Sequence, residues 1–255
     1  MHSKIFPMIS KNRISDIRKL HQKKFRDQER LFLVEGRKSV EMLLQSKFEV
    51  VEIFATENVF RENQKLLQYS AVTMVSSADM ERISTLNTAP ELLAIVRQPV
   101  ALLPITDDEP ILVLDRIADP GNLGTMIRTA DWFGIRQIVC SPDCVELFNP
   151  KTIQSTMGSF CHVQVRYEDL PAFLKRQSHR RILGTFLGGE SISTFAFKTN
   201  DIVVIGSESN GISSSVAQCI TNRITIPRGQ TTAPSAESLN AAIAAAIVME
   251  RWSDR

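Results

Sequence analysis

The 255-residue sequence holds only four cysteines, Cys140, Cys144, Cys161 and Cys219, with no CxxC pair and no histidine cluster nearby. Structural zinc needs closely paired ligands, and the adjacent Cys161 and His162 do not make a site, so no metal is expected. Scattered thiols of this kind fit buried or partly buried free cysteines in a reducing compartment. No apolar run approaches the roughly 20 residues needed to span a bilayer. The opening MHSKIFPMISKNR lacks the continuous apolar stretch of a secretory signal, so the expected location is cytoplasmic. Only two Trp and two Tyr occur, so any nucleic acid is expected to be read through its backbone and shape more than by base stacking. Repeats and low-complexity tracts are absent.

The formal net charge of +2 conceals an asymmetry. Residues 1–40 hold eleven Lys or Arg against four acids, a surplus of seven that leaves the remainder of the chain net acidic. Such a cluster suits a phosphate backbone, because each neutralised phosphate releases condensed counterions. Lys11, Arg13, Arg18, Lys23, Lys24, Arg26 and Arg37 are the candidate contacts. A solvated helical face would carry the same charges, so charge alone leaves both readings open.

Ile14, Ile17, Leu20 and His21 predict one basic helix from about Ser10 to Gln28. A strand over 31–36, a helix through 39–44 and β-rich stretches at 50–55, 72–75 and 91–96 complete a small α/β unit. Residues 99–110, PVALLPITDDEP, combine three prolines with three consecutive acids and read as a linker. This divides the chain into domains at 1–98 and 111–255. The second begins with Ile111-Leu112-Val113-Leu114-Asp115, an apolar strand of the kind buried on both faces of a parallel sheet. A helix over about 124–133, strands at 137–140, 182–186, 201–205 and 223–227, and a helix over about 238–252 follow. Alternating strands and helices predict a layered α/β fold.

Three segments carry chemistry. In Asp119-Pro120-Gly121-Asn122-Leu123-Gly124, Pro-Gly forces a turn and Gly124 lets a helix start close to the sheet, at the strand end where open α/β sheets bind ligands. Arg128 then falls one turn into that helix, poorly placed against the dipole, which hints at function; a solvent-facing arginine is the alternative. The second segment, Ile205-Gly206-Ser207-Glu208-Ser209-Asn210-Gly211-Ile212, has the outline of a phosphate loop, but Ile212 stands where that loop needs lysine. A glycine turn with a carboxylate, Glu208, suits a neutral or cationic ligand instead. In the third, Ser238 is placed to cap the last helix, and Leu239, Ile243 and Ile247 form a stripe that packing explains. Packing does not explain the polar pair Ser238 and Asn240 at the helix entrance.

In this order, these segments resemble the three signature motifs of the TrmH/SpoU family of RNA ribose 2′-O-methyltransferases, within the SPOUT superfamily. The resemblance is close over about residues 110–252 and looser over 10–97, where the opening SKNRISDIRKLHQKKFRDQERLFLVEG is similar to the start of members with a ribosomal-protein-like RNA-binding domain. It implies a parallel-sheet catalytic domain tied in a deep C-terminal trefoil knot, a small α/β substrate-binding domain before it, and a homodimer formed through the catalytic domain. S-adenosylmethionine is the implied cofactor and a ribose 2′-hydroxyl the implied acceptor, in ribosomal RNA first and transfer RNA second. By the resemblance Arg128 is the catalytic arginine, with Asn122, Glu208, Ser238 and Asn240 at the active site. Ile205, Gly206, Ile226, Leu239 and Ser238 would hold the cofactor.

Three departures stand out. Ile226 and Leu239 are 13 residues apart, so the loop GQTTAPSAE is longer than the family pattern. Gln154 occupies a place where many members carry arginine, and Ser209 replaces a common glycine. Other readings are a nucleotide-dependent α/β enzyme, base in place of ribose methylation, and a non-catalytic RNA-binding or ribosome-assembly protein on a decayed methyltransferase scaffold. The absent lysine counts against the first, the GNLGTMIRTA motif against the second; cofactor binding decides the third.

Overall fold

A computed structural model describes residues 9–62, 71–101, 104–229 and 236–254. The chain forms two compact units: residues 1–101 with 148–161, and residues 102–147 with 162–255. Lys4 (one of the eleven cations of residues 1–40), part of the 99–110 segment and most of the enlarged loop lie outside the described residues.

The first unit opens with two helices where the apolar spacing predicts one, α1 (Lys11–Lys19) and α2 (Lys23–Glu29). The break has a local cause. The Arg26 guanidinium donates to the Leu20 carbonyl at 2.8 Å, taking the acceptor a continuous helix would use, and the His21 ring is held 2.9 Å from the Ile83 carbonyl. Next come β1 (Leu31–Glu35), α3 (Arg37–Leu43), β2 (Val50–Ala55), α4 (Glu57–Glu62), β3 (Val72–Met74), α5 (Ser77–Ile83) and β4 (Leu92–Arg97). The sheet order is β1-β4-β2-β3, with β4 antiparallel to both neighbours and β2 parallel to β3. Ile14, Ile17 and Leu20 pack with Leu33, Phe54, Met80 and Ile95. Residues 148–161 join this unit through aromatic contacts: Phe148 lies 4.5 Å and Phe160 5.9 Å from the Phe32 ring, centroid to centroid.

The second unit is a six-stranded sheet, parallel throughout, in the order β10-β8-β9-β5-β6-β7. Its strands are β5 (Ile111–Asp115), β6 (Gln137–Cys140), β7 (Gln164–Tyr167), β8 (Ile182–Ser191), β9 (Ile202–Gly206) and β10 (Asn222–Thr225). Helices α6 (Pro120–Trp132), α8 (Leu170–Arg176), α9 (Ser214–Ala217) and α10 (Ala241–Ser253) cover it, while α7 (Pro150–Thr156) belongs to the first unit. β5 is buried along its whole length, as its composition requires. Trp252 is fully buried and donates through Nε1 to the Lys198 carbonyl at 3.0 Å, anchoring the end of α10. Adjacent β5 and β9 send their chains opposite ways, one to β6 and the other to the far edge at β10, which opens a crevice at their carboxyl ends.

Two helix starts differ from expectation. α6 begins at Pro120, four residues before Gly124, because the Asp119 carboxylate caps it by accepting the Asn122 N–H at 2.7 Å and proline is tolerated at the first helical position. Arg128 is therefore more than two turns in, and the dipole argument for it lapses. The last helix is capped by Asn240 and not by Ser238.

Candidate active site

Asp115 and Gly206 face each other across the β5–β9 ladder, so both loops leave the sheet side by side. The loop after β9 folds back at once: the Gly211 N–H donates to the Ser207 carbonyl at 2.8 Å, and Gly211 has φ +61°. A Cβ on Gly206 would lie 2.2 Å from the Gly211 carbonyl carbon and 2.3 Å from the Ile212 nitrogen, so no side chain fits there. Two residues beyond the reach of motif reasoning hold this turn. Asp115, 2% exposed, accepts the Ser213 N–H at 2.6 Å, and Arg116 donates to the Gly211 carbonyl at 3.3 Å. The available signal was an acid ending an otherwise apolar strand.

Asn240 ties the three motifs together. Its Oδ1 accepts the N–H groups of Ala242 at 2.9 Å and Ile243 at 3.3 Å, which settles the amide's orientation. Nδ2 then points outward and donates to Asn122 Oδ1 at 3.1 Å and to Glu208 Oε2 at 3.2 Å. Asn122 in the first turn of α6, Glu208 in the loop after β9 and Asn240 at the cap of α10 therefore converge through one amide. Ile205 is buried at the end of β9, Ile226 is half-buried just after β10, and Leu239 is 45% exposed. Ser238 is exposed and outside this hydrogen-bonded group. Arg228 donates to the Ala236 carbonyl across the enlarged loop.

Arg128 is not drawn into the cluster. It is exposed on α6, makes no hydrogen bond to Asn122, Glu208 or Asn240, and shares a helix face with exposed Thr125 and Trp132. The stripe Leu239, Ile243, Ile247 also differs from expectation: Ile243 is 51% exposed, and α10 instead buries Ala241, Ala245, Val248, Met249 and Trp252. Behind the crevice, Cys144 Sγ accepts the Ile117 N–H at 3.2 Å. Its thiol is lowered to about 7 by hydrogen bonding to Cys140 first, then to Ser141 and the Ile117 N–H, against the opposing effect of burial. Cys140 and Cys144 are buried, Cys161 and Cys219 partly so.

The basic candidates of the first unit are not equivalent. Arg26 is 2% exposed and spent on Leu20. Arg13 pairs with Glu52, Lys23 with Asp27 at 2.6 Å, and Arg37 with Glu41 and Glu62 at 3.0 and 3.2 Å. Lys24 lies 5.8 Å from the Phe25 ring centroid. Lys11 and Arg18 are exposed with no ion pair among the described residues. Among those residues there is also no cluster of three potential metal ligands, and no helix long and apolar enough to cross a membrane.

Comparison with known proteins bears on both units. The SpoU rRNA methylase family matches residues 109–250, and an MRM3-like substrate-binding domain matches residues 11–94. A 23S rRNA (guanosine(2553)-2'-O)-methyltransferase of Bacillus subtilis is 31% identical over 241 residues, covering 93% of this chain and 94% of its own. A structure from Porphyromonas gingivalis assigned to the TrmH family of RNA methyltransferases is 36% identical, with a TM-score of 0.84 over 96% of this chain and 98% of that one. An S-adenosylmethionine-bound rRNA methyltransferase from Sinorhizobium meliloti is 28% identical, with a TM-score of 0.83 over 94% of both chains. A lysine-free glycine turn at the switch point of a parallel sheet, joined to these likenesses, defines an RNA methyltransferase. The chain belongs to the SpoU rRNA methylase family, whose model spans more than half of its length.

Proposed function

We propose that this chain transfers the methyl group of S-adenosylmethionine to a ribose 2′-hydroxyl of ribosomal RNA. The observation that carries the reading is the Asn240 amide, which joins Asn122 and Glu208 beside the Gly206 turn. The residues at this edge fit the cofactor. Glu208 places a carboxylate where a sulfonium is tolerated and a polyphosphate is not, and Ile205, Ile226 and Leu239 offer apolar flanks for a purine. Gly206 carries no side chain, and the Gly211–Ile212 backbone packs directly against it, which keeps the turn close to the end of the sheet.

When bound, the cofactor supplies an electrophilic methyl carbon on a sulfonium. The protein's task is to align a ribose hydroxyl in line with it and to favour the hydroxyl's deprotonated form. Arginine, with a pKa normally above about 12, is a poor base, so Arg128 acts by stabilising developing alkoxide charge. Asn122 and Asn240 orient the acceptor, while Ser238 and Leu239 flank the cofactor.

Residues 1–98 form the RNA-binding domain in this proposal, 99–110 the linker and 111–255 the catalytic domain, with 148–161 packed into the first unit; the two family matches support the division along the sequence. A knotted C-terminal chain, a homodimer through the catalytic domain and a cytoplasmic location complete the reading. Calorimetry with S-adenosylmethionine on the native chain and on Arg128→Ala tests it, with 2′-O-methyl mapping of ribosomal RNA from a deletion strain. Both proteins should bind the cofactor alike, while Arg128→Ala lowers turnover by about 100-fold or more. Near-normal turnover by Arg128→Lys would remove the need for its fork geometry. Absence of cofactor binding, with or without added RNA, would sink the enzymatic reading.

A further inference from the structure

The first unit contains a groove of about 600 Å³ that methyl transfer itself leaves unused. Its walls include Arg18 in the last turn of α1 and His21 just beyond it, Arg82 and Thr85 at the end of α5, and Lys151 and Gln154 on α7. A second depression of about 480 Å³ shares Arg18, His21 and Arg82 and adds Lys11 and Lys19, so the two form one path. Glu81 is the single acid among the residues lining either depression. Outside the lining, Asp79 pairs with Arg82 at 3.2 Å and Asp16 with Lys19 at 2.8 Å. The Arg18 guanidinium makes no ion pair among the described residues.

The groove is also built from within. Glu35, 5% exposed, accepts the Ser84 hydroxyl at 2.5 Å, the Thr85 N–H at 3.1 Å and the Thr85 hydroxyl, fixing the wall that follows α5. Facing a carbonyl, the His21 Nε2 is the donor, which directs the ring toward Ile83. On the opposite wall the Gln154 amide oxygen is buried and has no hydrogen-bond partner among the described residues. A ligand bringing a hydroxyl or amine donor would satisfy that acceptor. Cations and an unsatisfied acceptor together ask for a ligand with both phosphates and donors. Ribose hydroxyls and base edges of an RNA strand supply the donors.

We propose that this groove, and not the basic stretch 1–40 as a whole, is where the first unit grips its RNA. Successive backbone phosphates lie along Arg18, Arg82 and Lys151, and Gln154 accepts from a ribose or base donor. The proposal rests on the RNA-methyltransferase reading and deepens it. It brings in Arg82, Lys151 and Gln154, which lie far from the charged N-terminus in sequence, and it leaves out Arg26, which is buried.

The test is fluorescence anisotropy of a labelled mixed-sequence RNA hairpin with the full chain, titrated over a range of salt. The test variants are Arg18→Gln/Arg82→Gln/Lys151→Gln and, leaving the α5 ion pair intact, Arg18→Gln/Lys151→Gln. The control is Arg61→Gln/Arg97→Gln, whose arginines are held by Glu57 and Glu49. Each lost phosphate contact should flatten the plot of log affinity against log salt by about 0.7–0.9. The triple variant should therefore lose about 2.4 from the slope and the double variant about 1.6, with the control unchanged. Native slopes in both test variants, an equal loss in the control, or no hairpin binding by the native chain would each overturn the proposal. Cofactor calorimetry on the same samples keeps the two readings apart, because it should be unaffected by all three variants. Cofactor binding with unaltered slopes would condemn the groove alone.

Discussion

Gly206 is the position where a single atom matters most. Its absent Cβ is what lets the chain turn back within 2.2 Å of the site a methyl would occupy, with Gly211 supplying the left-handed residue that closes the turn. Gly206→Ala must push the Gly211–Ile212 backbone outward and with it the Glu208 carboxylate. Cofactor affinity, read by calorimetry, should fall by about tenfold or more, and a thermal melt should show a loss of about 1–3 kcal/mol, the range for overpacking a tight site. Unchanged affinity would mean that the turn does not touch the cofactor. Much of this was legible beforehand: the glycines, the missing lysine at Ile212 and the carboxylate at Glu208 are all in one short string. What was not legible is Asp115, because its partner, the Ser213 N–H, is 98 residues away and no local pattern joins them. Arg128 shows the reverse, a residue singled out by helix position whose position the structure then moved.

At the level of elements, Asn240 does two jobs with the two ends of one amide. The oxygen caps α10, and the nitrogen reaches Asn122 and Glu208. The jobs can be separated. Asn240→Ala removes both and should cost about 1 kcal/mol of stability, the usual worth of a cap, together with activity. Asn240→Asp keeps a capping oxygen but loses the donors and sets a second carboxylate beside Glu208. It should melt close to the native protein yet transfer methyl groups at least about tenfold more slowly. Equal melting and equal turnover in Asn240→Asp would dismiss the bridge. The element boundaries show why a sequence reads elements better than their ends. The spacing of Ile14, Ile17, Leu20 and His21 predicts one helix over about 10–28, but a buried arginine side chain takes the Leu20 carbonyl and splits it. Periodicity carries no information about such a long side chain competing with its own backbone. By contrast, β5 was readable over its full length, since a strand buried on both faces needs only apolar residues.

For the whole molecule, the open question is what covers the apolar residues left in water. α6 packs against α10, and each leaves a large side chain exposed: Trp132 at 84% and Ile243 at 51%, with Leu239 at 45% just before α10. Exposed aromatic and aliphatic groups on two packed helices are what a self-associating surface offers, and a tryptophan is the residue type most often carrying binding energy there. These residues also lie close in sequence to the site: Ile243 follows Asn240 within one turn, and Trp132 is four residues after Arg128. If a second copy covers this face, Arg128 no longer points into open solvent, and its distance from Asn122 and Glu208 within one chain ceases to be a difficulty. Light scattering behind size exclusion should therefore find the native chain as a dimer. Trp132→Glu/Ile243→Glu should shift it to monomer, because burying two carboxylates costs more than a face of about 800 Å² per partner can tolerate without compensating charges. The melt of this variant should stay near native, since neither side chain is buried within the chain, while methyl transfer should collapse together with the dimer. A native chain that runs as a monomer would leave Trp132 unexplained. A variant that is monomeric and fully active would confine the active site to one chain, and Arg128 would then have to reach the acceptor by moving on its own helix face.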